Sequence, residues 1–337
     1  MKRSAAVGLA CLLLLVMTGC TMHKEPVRRE IFSMDTHITI TCYGKEAEEA
    51  ADAAAKEIER LNQLWSIGEE RSEVCRINKE GGGDVSPETA ELLELALRLY
   101  AETDRALDVT VLPLMELWGF TSRDPAVPEA SAVEKTLQSV DAGRVRLDGQ
   151  NVQLDEGQGI DLGALAKGYA SARAAAVLEA YDIEGAVLSL GGNIQCVGQK
   201  PAGKGGTLWR IGIRHPDDAA TYLGVLTLTD KAVITSGGYE RFFEENGQIY
   251  HHILDPSNGY PAKSGLASVT IVSADGALAD GLSTACFVMG AERSIEYWKA
   301  HAEAFDMILM TDDGKLWITE PLQQIFETEM AVEVIRK

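Results

Sequence analysis

The sequence predicts an α+β fold of antiparallel sheets with packed helices. Residues 36–43 (THITITCY) alternate and are rich in β-branched side chains, as a half-buried strand requires. An amphipathic helix follows at once. The second half then holds six short strands separated by gaps mostly too short for crossover helices, so most of their pairings should be antiparallel.

The chain opens on a segment to be set aside before fold reasoning. Lys2 and Arg3 form a basic start and Ala5–Met17 an apolar run, shorter than the about 20 residues a membrane helix needs. It reads as a signal peptide over 1–19. Met17-Thr18-Gly19-Cys20 resembles a bacterial lipobox with Met17 in place of the usual Leu, so Cys20 is the expected lipid anchor; an ordinary cleavable signal with an incidental cysteine is the alternative. Residues 20–30 read as a polar tether, and 31–337 as the folded body, exported and held at the membrane facing the periplasm or the extracellular side.

Each element of that body has its own signal. Ala47, Ala51, Ala54, Ile58, Leu61 and Trp65 recur at helical spacing. Ser86-Pro87 is an N-cap and first-turn pair for a helix reaching about Tyr100. A shorter helix is expected up to Val140, then a hairpin about Asp148-Gly149. Strands are expected at Ala186–Leu190, Leu208–Ile213, Gly224–Leu228, Ala232–Thr235, Ile249–Leu254 and Ala267–Val272, with helices over 164–181, 276–288 and 291–302.

Charge and cysteine usage exclude several classes. The net charge is −20, or −22 without Lys2 and Arg3. Such acidity disfavours nucleic acid and anionic lipid as partners, and a phosphate-bearing substrate would call for a divalent cation. Beyond Cys11 and Cys20, the cysteines at 42, 75, 196 and 286 are scattered, with no pair or histidine cluster spaced for zinc or iron–sulfur. Cys42, Cys196 and Cys286 lie in apolar runs and read as buried thiols.

Three segments carry chemistry. In DGLST (280–284), Asp280 and Thr284 sit four apart on one helical face, so a carboxylate and a hydroxyl can grip one Mg²⁺; the spacing also fits a first-turn aspartate with a packing threonine. In DLGALAKGY (161–169), Asp161 precedes a glycine turn and Lys167 lies near the helix start, placed to meet a ribose, base or phosphate, or else to form a tight turn with solvated charges. It is neither a Walker loop nor a dinucleotide fingerprint. In HHILDPSNGYP (251–261), strand alternation lets only one of His251 and His252 face a cleft, where it could move protons near neutral pH; both could equally be ordinary strand residues.

Taken in order, MDT, LWS, DVT, LWG, DLGALAKGYA, LSLGGN, SGGYERFF, HHILDPSNGYP, SVTIV and DGLSTACFVMG resemble the ApbE-type FAD:protein FMN transferases from about Ile31 to Phe326. The resemblance implies a T-fold-related architecture with FAD in a cleft between two lobes. It implies that Met34, Leu117, Trp118 and Gly119 line the flavin or its ribityl chain, that Asp161, Lys167 and Leu254 contact FAD, and that the Ala164 carbonyl, Asp280 and Thr284 hold Mg²⁺. His252 matches the family's candidate base. Ser283, Gly68 and Gly238 depart from residues common in the family, the first leaving one carboxylate fewer near the metal.

The implied reaction is attack of an acceptor Ser or Thr hydroxyl on the FMN phosphorus of FAD, releasing AMP. The implied acceptors are flavoproteins of membrane respiratory complexes or exported reductases. An FAD pyrophosphatase and a non-catalytic flavin-binding lipoprotein are the rivals; AMP release with and without an acceptor separates all three.

Overall fold

The computed structural model describes residues 25–122, 124–201 and 207–337; the signal segment and Cys20 lie outside them. In chain order the strands are β1 (Val27–Ser33), β2 (Thr36–Gly44), β3 (Gly82–Asp84), β4 (Arg146–Asp148), β5 (Asn151–Gln153), β6 (Ile183–Leu190), β7 (Asn193–Gly198), β8 (Trp209–Arg214) and β9 (Tyr222–Leu228). They continue with β10 (Ala232–Gly237), β11 (Phe242–Glu245), β12 (Gln248–His251), β13 (Leu266–Ser273), β14 (Phe305–Thr311), β15 (Leu316–Thr319), β16 (Phe326–Glu327) and β17 (Val332–Ile335). The helices are α1 (Ala47–Trp65), α2 (Glu73–Glu80), α3 (Pro87–Glu102), α4 (Leu112–Leu117), α5 (Ala130–Leu137), α6 (Gly163–Leu178) and α7 (Gly276–His301).

Nine strands form one sheet in the order β1-β2-β6-β7-β10-β13-β14-β15-β17. Every pairing in it is antiparallel except β15 with β17. Successive residues of its central strands feed opposite cores, as the pleat demands. Ile234 and Ile271 face the helices α1, α3, α6 and α7, whereas Val233 and Val272 face the small sheet β16-β9-β8. The α+β reading with antiparallel sheets holds.

Local chemistry explains the helices. Ser72, Ser86 and Asp275 cap α2, α3 and α7, each accepting a hydrogen bond from a backbone N–H three residues on. The buried face of α1 is mostly alanine, which lets it lie close to its neighbours. In α7 the two helices expected from the sequence are joined at Gly290, whose φ of 79° kinks the axis.

The tether boundary needs correction. Val27–Glu30 belong to β1, which pairs with β2 from Val27↔Cys42 to Ser33↔Thr36. As an edge strand, β1 exposes Arg28 and Glu30 to solvent, so its sequence has the polarity of a linker. Cys42, Cys196 and Cys286 are buried, and all four described cysteines are free thiols.

Candidate active site

A cavity of about 260 Å³ opens where the β1–β2 turn, the end of α1, the starts of α6 and α7, the end of β10 and the chain leaving β12 converge. The β1–β2 connection is only Met34-Asp35, and both residues are left-handed, with φ of 52° and 54°. Two-residue hairpins of this kind favour Asn-Gly. A bulky methionine there costs energy, and its N–H is held by Asn62 Oδ1 at 3.2 Å. Met34, Asp35, Asn62, Trp65 and Ser66 together form one wall.

The floor is the crossing of α6 and α7. Asp280, 4 % exposed, accepts from Gly168 N–H at 2.8 Å and from Asn193 Nδ2 at 3.0 Å. Gly168 N–H is the donor that helical geometry would direct at the Ala164 carbonyl, and that carbonyl oxygen has a second lone pair with which to accept from another group. Thr284 lies one turn beyond Asp280, its Oγ1 3.4 Å from Ser236 Oγ, while Ser283 Oγ bonds Ser236 Oγ at 2.7 Å. Ala164, Asp280 and Thr284 line one cavity, Asp280 and Thr284 on one helical face as their spacing predicts.

Lys167 acts electrostatically on three buried acids. Asp161, Glu240 and Asp280 are all pushed above their ordinary values by burial, Glu240 to about 7, and the Lys167 charge partly offsets each shift. Asp161 Oδ1 accepts from Gly163 N–H at 2.8 Å, an Asx turn at the entry to α6. The opposite wall comes from 106–115, pinned by buried Asp108. Its carboxylate accepts from Thr110 N–H and Oγ1 and from Ala142 N–H.

The strand expected over Ile249–Leu254 ends at His251, and His252, on the chain leaving it, turns to a different environment. His251 donates from Nε2 to the Ala262 carbonyl at 3.1 Å and packs edge-on to Phe287. His252 lines the cavity beside Leu254. A carbonyl can only accept, so the 3.1 Å contact of His252 Nδ1 with the Arg241 carbonyl puts the proton on Nδ1. Nε2 is then an open base. Burial lowers the His252 pKa to about 4, so the ring is neutral at pH 7.

One expectation fails. Leu117, Trp118 and Gly119 do not line the cavity. The α4 helix ends there, and fully buried Trp118 turns into a separate core, donating from Nε1 to the Gly259 carbonyl at 2.8 Å. Met115 and, further back along the chain, Val111 face the cavity instead. Asn62, Asn193, Ser236, Glu240 and Arg241 are site residues the sequence reading left without a role; Asn193, Ser236, Glu240 and Arg241 lie in the LSLGGN and SGGYER segments.

The donor set fits a hard divalent cation bound together with phosphate. Among the described residues no three His, Cys, Asp or Glu side chains converge as a metal cluster. One carboxylate, one hydroxyl and one backbone carbonyl leave half of an octahedron for substrate oxygens and water. Asp280 is a buried charge held by neutral donors alone, with no salt-bridge partner among the described residues, and a cation would relieve that cost.

The chain is similar over most of its length to proteins of one family. A model of the ApbE family matches residues 34–309. The FAD:protein FMN transferase of Vibrio cholerae is 32% identical over 323 residues, covering 93% of this chain and 95% of that protein. The crystal structure of the ApbE protein from Thermotoga maritima superposes with a TM-score of 0.82 at 33% identity, covering 89% of this chain and 99% of the other. The flavin transferase ApbE from Vibrio cholerae gives 0.79 at 28% identity, with the same two coverages.

Proposed function

Because this chain belongs to the ApbE family, we propose that it is an Mg²⁺-dependent FAD:protein FMN transferase that moves FMN onto a Ser or Thr hydroxyl of an acceptor flavoprotein and releases AMP. The observation that carries the reading is the convergence of Asp280, Thr284, Ala164, Lys167 and His252 on one cavity.

Asp280, Thr284 and the Ala164 carbonyl would hold the Mg²⁺. Bound there, the cation supplies charge neutralisation for the FAD diphosphate and for the AMP leaving group. Lys167 adds a fixed positive charge beside the same phosphates. Met34, in its strained turn, and the apolar wall of Val111, Met115 and Leu254 bind and orient the flavin end. His252 Nε2 accepts the proton of the attacking hydroxyl. The O–P bond to the acceptor forms as the P–O bond within the pyrophosphate breaks, and AMP departs with that electron pair.

The lipobox-like stretch ending at Cys20 supports an exported enzyme tethered to the membrane, facing acceptors of respiratory or reductase systems. That stretch lies outside the described residues, and no helix among the described residues is long and apolar enough to cross a membrane. Incubation with FAD and Mg²⁺, with and without an acceptor flavoprotein, tests the assignment. Covalent flavin fluorescence on the acceptor with stoichiometric AMP is expected, and chelation by EDTA should abolish both. AMP release at the same rate without acceptor would identify a pyrophosphatase instead.

A further inference from the structure

Three side-chain hydroxyls meet where β10 packs on α7. Ser236 of β10 and Thr284 of α7 line the cavity, whereas Ser283 lies behind them and is fully buried. Ser283 Oγ is 2.8 Å from the Asp280 carbonyl oxygen and 2.7 Å from Ser236 Oγ. Ser236 Oγ is in turn 3.4 Å from Thr284 Oγ1. A hydroxyl has one proton to give and two lone pairs with which to accept. That count fixes the direction of the whole chain of contacts.

A carbonyl oxygen only accepts, so the Ser283 proton is committed to Asp280. Ser236 must then be the donor in its contact with Ser283, which commits its proton too. Ser236 can therefore meet Thr284 only as an acceptor. A helical threonine often bonds instead to the carbonyl four residues earlier, which here is that of Asp280. Both lone pairs of that oxygen are already claimed, one by the helical N–H of Thr284 and one by Ser283 Oγ. The Thr284 proton is left to Ser236, and the relay runs one way, from Thr284 through Ser236 and Ser283 to the Asp280 carbonyl. The lone pairs of Thr284 Oγ1 take no part in it and remain for the cavity.

We propose that Ser236 and Ser283 are positioning residues that keep the lone pairs of Thr284 turned toward the divalent cation, an inference that rests on assigning Asp280 and Thr284 to that site. Metal ligands are oriented by partners behind them. A neutral hydroxyl needs this more than a carboxylate, because rotation about one bond replaces a lone pair with a proton. At 3.4 Å the link from Thr284 to Ser236 is long for an O–H···O bond. A hydroxyl polarised by a cation is a stronger donor, so metal binding and this relay reinforce one another.

The test titrates Mn²⁺, as a probe for Mg²⁺, into the protein with FAD present and no acceptor. Bound ion is read from loss of the free-ion EPR signal, and thermal melting is measured beside it. Ser236→Ala should raise the Mn²⁺ dissociation constant by about tenfold or more, the usual cost of losing a partner behind a metal ligand, and Ser236→Thr should restore it. Ser283→Ala should weaken Mn²⁺ comparably, although its hydroxyl bonds Ser236 and Asp280 rather than Thr284, because Ser236 is then free to donate to Thr284 and occupy a lone pair. The double alanine variant should bind Mn²⁺ no more weakly than Ser236→Ala, since one relay cannot be broken twice. Wild-type Mn²⁺ binding by either alanine variant overturns the proposal, as do single effects that multiply in the double variant. So does weakened Mn²⁺ binding that only follows a fall in melting temperature in all three single variants, Ser236→Thr included; the serines then merely fill the contact between β10 and α7. Wild-type protein that binds FAD yet takes up no Mn²⁺ overturns the metal assignment itself.

Discussion

Gly168 and Asp280 lock the two site helices together: the Gly168 N–H donates to the Asp280 carboxylate at 2.8 Å, and a Cβ on Gly168 would lie 2.1 Å from the Gly276 carbonyl oxygen. The obstruction is backbone, so it cannot rotate away. Gly168→Ala should therefore force α6 and α7 apart, costing about 1–3 kcal/mol or more as overpacking does. A lower melting temperature together with weakened Mg²⁺ dependence is the expected result. An alanine variant that melts like the wild type would show the crossing to be looser than this geometry.

Asp280 itself separates charge from packing. Asp280→Asn keeps the shape and can still accept from Gly168, but gives up the bond from Asn193 Nδ2 and removes the carboxylate offered to the cation. Stability should change little, because the disappearance of a desolvated charge offsets the lost Asn193 bond, while transfer should fall at least about 10²-fold with the Mg²⁺ requirement shifted to higher concentration. Thermal melting and a Mg²⁺ titration of AMP release check the two halves independently.

What was legible in the sequence follows from how each element is buried. The helices α1, α6 and α7 announce themselves through small and apolar residues at helical spacing, and the Asp280–Thr284 pair follows from the same periodicity. The strand β1 did not, because it lies at an edge and shows charges to solvent; nor did β14, buried on nearly its whole length, where an apolar run has no period to read. The Leu117–Gly119 segment shows a further limit. Spacing can say that a turn lies near a site, but the side from which its tryptophan packs depends on Phe120, Phe243 and Tyr250, two of them more than a hundred residues away.

The two histidines should separate cleanly. His252→Ala removes the open Nε2 and should slow FMN transfer by roughly 10²–10⁴-fold with FAD binding largely kept. His251→Ala removes a ring packed on Phe287 and bonded to the Ala262 carbonyl, so it should cost about 1–3 kcal/mol of stability with a smaller effect on transfer. Acceptor labelling, FAD titration and melting on both variants read this out; slow transfer in His251→Ala alone would reverse the assignment.

The pH profile carries the same signature. Burial lowers His252 to about 4, so the free enzyme keeps its base neutral well below the ordinary histidine range. The acid limb of kcat/KM attributable to this ring should fall below pH 6. Linkage has a definite sign: between pH 6.5 and 4 the unfolded chain binds a proton that the folded site refuses, so this residue makes stability fall as pH drops through that window. His252→Ala should flatten that part of a melting-temperature profile while leaving it unchanged above pH 7.

Met34 and Asp35 offer the last test, because their turn sets stability against function. Both residues are left-handed in a two-residue hairpin, a conformation costing about 1–2 kcal/mol for a side chain that gains nothing locally. Asp35 occupies the second position, where glycine is the residue such turns favour. Asp35→Gly should raise the melting temperature by a few degrees, since relief of left-handed strain outweighs the added freedom of the unfolded chain. Met34→Gly should relieve strain of the same kind but strip an apolar side chain from the cavity wall, so FAD affinity should fall while the fold holds. If Met34→Gly binds FAD as tightly as the wild type, the strained turn has another purpose than presenting that side chain; if Asp35→Gly lowers the melting temperature, the aspartate is held there by interactions that more than offset its backbone strain.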